Sequence, residues 1–108
     1  MAIGTERPAR SPDLEDRFTD LVREWKAGRG VSSSSRELAR HPAYEAIIRL
    51  GEPVVPLILR ELEREPDHWF IALRATTGAD PVLPEHRGDL QVMAADWTAW
   101  GRANGYRW

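Results

Sequence analysis

The residues of this chain whose types could do chemistry are three histidines, an acid beside one of them, and a run of serines. The imidazoles are His41, His68 and His86. A zinc site wants two of them at i, i+4 on one helix, or a compact cluster with carboxylates. Here they are spread along the chain, each at a helix start or in a loop. We therefore expect no metal ligand among them and no cofactor. Asp67 beside His68 has the types of an acid–base pair, since a carboxylate orients an imidazole. Neighbours in sequence rarely point at each other, however, and no partnered nucleophile accompanies them. The expected role of His41 and His68 is to bond helix ends, and that of His86 to face solvent. Ser32 to Ser35 read as caps rather than nucleophiles. The chain has no cysteine, so disulfides and thiolate chemistry are excluded. The expectation is a protein that is not an enzyme.

The bulk properties narrow the partners. A net charge of −2 over 108 residues argues against non-specific attraction to nucleic acid or to an anionic membrane. No apolar run approaches the roughly 18–20 residues of a membrane span. The opening "MAIGTERPARSPD" carries charges and prolines where a signal peptide needs an apolar stretch. These features predict a cytoplasmic protein with a flexible tail over 1–10 and one domain over 11–108.

The elements that must position these residues are all helical by period. Leu14, Phe18, Leu21, Val22 and Trp25 form one apolar stripe. Ser11 is placed to cap that helix, Pro12 suits its first position, and Gly28 and Gly30 stop it. Ser34 with Glu37 makes a capping box for a short helix, which ends before Pro42 because helical geometry is disfavoured at His41. A helix starting at Pro42 carries Tyr44, Ile47 and Ile48 on its apolar face, with Gly51 past its end. The next has Pro53 and Pro56 in its first turn and Val55, Ile58, Leu59 and Leu62 on one face. Pro66 ends it. Asp67 is then expected to cap a helix holding Trp69, Phe70 and Leu73 and closed by Gly78. Residues 79–88 form a proline-rich loop. The last helix starts near Asp89, carries Leu90, Met93, Ala94, Trp97 and Trp100, and ends at Gly105. No segment alternates convincingly. The predicted fold is all-α: a single-domain antiparallel bundle of about five helices, since short connectors make neighbours antiparallel.

The stretch "AIIRLGEPVVPLILRELEREPDHWFIALRATTGADP" resembles HEAT-like helical repeats. A helix ends in Leu-Gly, a second begins with prolines, and a third ends in "ALRATTG". The likeness runs over roughly residues 42 to 103, with Trp97 and Trp100 as a closing W-x-x-W. It spans little more than one repeat unit. The chain also resembles small bacterial all-helical proteins carrying "HPAY", "PDHW" and "RG" before a tryptophan-rich helix. That likeness implies a HEAT-like helix pair and no particular activity. What the HEAT likeness implies is protein binding.

Five tryptophans are many for 108 residues, and those not needed in the core are candidate interface anchors. The reading is a non-catalytic protein–protein interaction module, such as a small bacterial regulator, adaptor or antitoxin-like partner. Its candidate partner-binding residues are Tyr44, His68, Arg87, Trp100 and Trp108. Arg87 also has Asp80, Glu85 and Asp89 as possible ion-pair partners. The alternative is a DNA-binding regulator with a degenerate helix-turn-helix over residues 34–50, using Arg36, Arg40 and Arg49 on phosphates and bases.

Overall fold

The computed structural model describes residues 12–29 and 34–108. The expected tail over 1–10, the Ser11 cap, the Gly30 stop and Ser32 and Ser33 lie outside the described residues. Among those described there are six helices and no strand. The helices are α1 (Pro12–Gly28), α2 (Ser35–Leu38), α3 (Pro42–Arg49), α4 (Val55–Arg64), α5 (Phe70–Thr77) and α6 (Leu90–Ala103). Single 3-10 turns stand at Glu52–Val54 and Pro84–His86. α1 packs on α3, α3 on α5, α5 on α4 and α4 on α6.

The stripes become the core. Phe18, Leu21, Val22 and Trp25 of α1 are all buried. They meet an aromatic group from two other segments. The Trp25 and Trp69 ring centroids are 4.7 Å apart, Trp25 and Tyr44 5.1 Å, and Phe18 and Trp69 5.9 Å. The Trp25 indole N–H donates to the Leu38 carbonyl at 2.9 Å, which ties α2 to α1. α4 is the central element. Val55, Leu57, Ile58, Leu59 and Leu62 are buried, while Glu63 and Arg64 face solvent.

The ends of the helices follow local rules in most places. His41 caps α3, its Nδ1 accepting from the Ala43 N–H at 3.0 Å. The Glu37 N–H donates to Ser34 Oγ at 3.4 Å. Asp89 caps α6 through Val92 N–H at 3.2 Å. Gly78 closes α5 in the left-handed conformation, with φ at 73°. Asp67 is the exception. α5 begins only at Phe70, and its own N-cap position, Trp69, makes no side-chain cap bond. The Asp67 carboxylate instead accepts from Arg29 at 3.0 Å and from the adjacent His68 N–H at 2.8 Å. It is bound across the fold, at the point where α1 ends.

Candidate functional site

The C-terminus of α6 makes a second aromatic group. Gly105, at φ +86°, reverses the chain. The Tyr106 N–H then donates to the Gly101 carbonyl at 3.0 Å and the Gly105 N–H to Arg102 at 3.2 Å, the paired bonds of a Schellman motif. This folds Tyr106 to Trp108 back over the helix. The Tyr106 ring stacks on Trp100 at 5.7 Å, and Trp100 meets Trp97 edge-on at 5.3 Å. The Tyr106 hydroxyl donates to Glu52 at 2.8 Å, at the entry to α4. Burial, and then the Glu52 carboxylate, hold the Tyr106 phenol above its ordinary pKa.

Trp108 is held by Glu63, Arg102 and the backbone at Gly101. Its indole N–H donates to Glu63 Oε1 at 2.9 Å. The Arg102 guanidinium lies 4.6 Å over its ring and also pairs with Glu63. These two donors, Arg102 first, hold the Glu63 carboxyl below its usual range. Beneath the ring, Gly101 leaves no room for a side chain. A Cβ there would stand 3.1 Å from the Trp108 ring and 2.5 Å from Leu59 Cδ1.

Held in this way, Trp108 walls one side of a groove of about 280 Å³. Leu14 of α1 and Pro53, Pro56 and Leu57 around the start of α4 supply the apolar lining. Arg60 and Arg107 supply the charge. The start of α4 is placed here by Gly51, whose backbone (φ 80°, ψ −160°) L residues rarely adopt, followed by the two prolines. The volume lies just below the low end of small-molecule sites, about 300–1,000 Å³. It is room for an anchoring side chain or two.

The residues singled out by the sequence separate into three places. Trp100 and Trp108 both lie at the α6 end, half-buried, Trp100 stacked on Tyr106 and Trp108 held by Glu63 and Arg102. Tyr44 and His68 also meet, but inside. Tyr44 is fully buried, its hydroxyl donating to the His68 carbonyl at 2.9 Å and accepting from the Ala72 N–H at 3.0 Å. Tyr44 is thus packed inside the fold, its ring against Trp25 and Trp69. His68 is half-buried beside it. Arg87 is exposed and pairs with Asp80 at 3.0 Å, and that bond lowers the Asp80 pKa. His86 is not merely solvated, as its loop position suggested. Its Nδ1 lies 2.6 Å from Asp96 of α6, and the hydrogen bond to that carboxylate raises the imidazole pKa.

Arg36 and Arg40 are exposed, and Arg49 is exposed with Glu45 at 3.8 Å on the same helix. α3 turns Ala43, Tyr44 and Ile47 into the core. No group of three or more metal-ligating side chains gathers among the described residues. No helix among them is long and apolar enough to cross a membrane. The groove residues Leu14, Pro53, Leu57, Arg60 and Arg107 were not visible as a set from the sequence, where only the terminal tryptophans drew notice.

Compared with known proteins, the chain matches no family model, no curated protein and no solved structure.

Proposed function

We propose that this chain is a non-catalytic protein-binding module that receives its partner in the groove between Leu14, the start of α4 and Trp108. One observation carries the reading: an apolar groove edged by arginine and walled by a tryptophan already fixed by Glu63 and Arg102. Tryptophan and arginine are the residues most often found to dominate binding energy at protein interfaces. A wall that is ordered before binding loses little side-chain entropy on binding. The titratable pair His86–Asp96 is occupied in holding the 84–86 turn against α6. A HEAT-like pairing of the helices from α3 to α5 belongs with this reading. It is supported by the Leu50-Gly51 step, the proline entry to α4 and the packing of α5 on both α3 and α4.

The test is site-specific photo-crosslinking in the host cell. A photoreactive side chain replaces Pro53 in the groove, or Ala99 on the exposed side of α6. The expected result is a discrete protein adduct from position 53 that position 99 does not give. The same pattern from both positions, or no adduct from either, overturns the proposal.

A further inference from the structure

We infer that the groove selects an acidic partner segment, one with carboxylates beside an apolar anchor. This rests on the groove being the interaction site, and it names what the groove takes.

The two cations of the groove are available to a carboxylate to different degrees. Arg107 is exposed and makes no ion pair with a described residue. Among the described residues Arg60 pairs with Glu15, at 3.8 Å, with both side chains about a third exposed. Exposed pairs of that kind are weak and open to exchange. Compare Arg29 with Asp67, at 3.0 Å and largely buried. Arg102, the third arginine nearby, is committed to Glu63. The groove therefore holds one cation with no ion pair among the described residues and one loosely neutralised, both beside apolar lining.

The net charge of −2 does not cancel this. Screening at physiological salt limits charge interactions to about 8 Å, so the carboxylates that count are the near ones. Glu63 is taken by Arg102 and Trp108, Glu52 by the Tyr106 hydroxyl, and Glu15 stands 3.8 Å from Arg60, while the groove lining itself carries Arg60 and Arg107 and no acid. The lining decides the rest. Pro53 and Pro56 have no N–H, and their part of the groove offers no backbone donor to an incoming strand. Strand addition also needs an exposed sheet edge, and no strand stands among the described residues, so the groove favours side-chain burial with charge pairing. The chain's own first residues have the wrong sign for the site, with Arg7 and Arg10 against Glu6.

The experiment selects a phage-displayed random peptide library on the immobilised full chain. A synthetic copy of the enriched peptide is then titrated against parent and variants. The expected consensus places Asp or Glu within a few positions of Leu, Phe or Trp. R107E and R60E are each expected to weaken the peptide by roughly tenfold, and added salt to weaken it in the parent. R49E, outside the groove, leaves the affinity unchanged. Enrichment of basic or uncharged peptides, or equal binding by R107E and the parent, overturns the inference. So does concentration-dependent self-association that blocks the peptide, because the occupant is then a second copy. If the crosslink from position 53 persists while the acidic preference fails, only this inference falls. If that crosslink is absent, the proposed function falls first.

Discussion

The Tyr44 hydroxyl does the work of a helix cap from another element. Ala72 is the third residue of α5, and its N–H is one of those that an α-helix leaves without an internal partner. Tyr44 accepts that bond and donates its own O–H to the His68 carbonyl. Tyr44→Phe keeps the ring against Trp25 and Trp69 but removes the acceptor of the buried Ala72 N–H. A buried polar group left unpaired costs about 1–3 kcal/mol. Urea titration should show a loss in that range, and a variant as stable as the parent would rule out this role. His86 makes a prediction about pH. The bond to Asp96 raises its folded pKa above the ordinary 6.5. The imidazolium is therefore favoured by folding, and its contribution is fully present below about pH 6.5. It fades as pH rises through the raised folded value. Asp96→Asn should melt below the parent in mild acid, and the gap should narrow in alkaline buffer. A gap independent of pH would show that the pair does not act by charge.

At the scale of elements, Gly101 sets how closely α6 approaches α4. Gly101→Ala would improve helix propensity by about 1 kcal/mol. Its Cβ would also meet Leu59, fully buried, and the Trp108 ring at once. Overpacking of this kind costs about 1–3 kcal/mol. The expected net outcome is a lower melting temperature with a changed Trp108 environment, read by tryptophan emission; a variant that melts higher would show that the contact relaxes freely. The elements themselves were largely legible. The stripe from Leu14 to Trp25 and the α4 face from Val55 to Leu62 are set by period alone. Gly78, Asp89 and the Pro42 entry act within a turn of their own position. What was not legible is what distant segments bring. Asp67 bonds Arg29, and Trp108 bonds Glu63, across long stretches of chain. A local rule reads Asp67 as a cap and cannot see Arg29. The groove was hidden for the same reason, because Leu14, Leu57 and Trp108 come from three remote parts of the sequence.

Across the whole molecule, two aromatic groups are joined by one body of aliphatic side chains. Phe18, Trp25, Tyr44 and Trp69 lie toward α1 and α3, and Trp97, Trp100 and Tyr106 toward the end of α6. Val55, Ile58, Leu59 and Leu62 of α4 belong to the same continuous core. A core of this size without a break should unfold as one unit, as small single domains do. Far-ultraviolet circular dichroism reports all the helices, and tryptophan emission reports both aromatic groups. The two midpoints should coincide. Tyr44→Phe and Gly101→Ala perturb opposite groups, and the neighbours of Tyr44 (Trp25, Trp69, Ala72) are not those of Gly101 (Leu59, Trp108). Each should therefore shift the whole transition rather than part of it. Their losses should add in the double variant to within about 0.3–0.5 kcal/mol. Two separated transitions, or a variant that loosens only its own helices, would show instead that α4 divides the core.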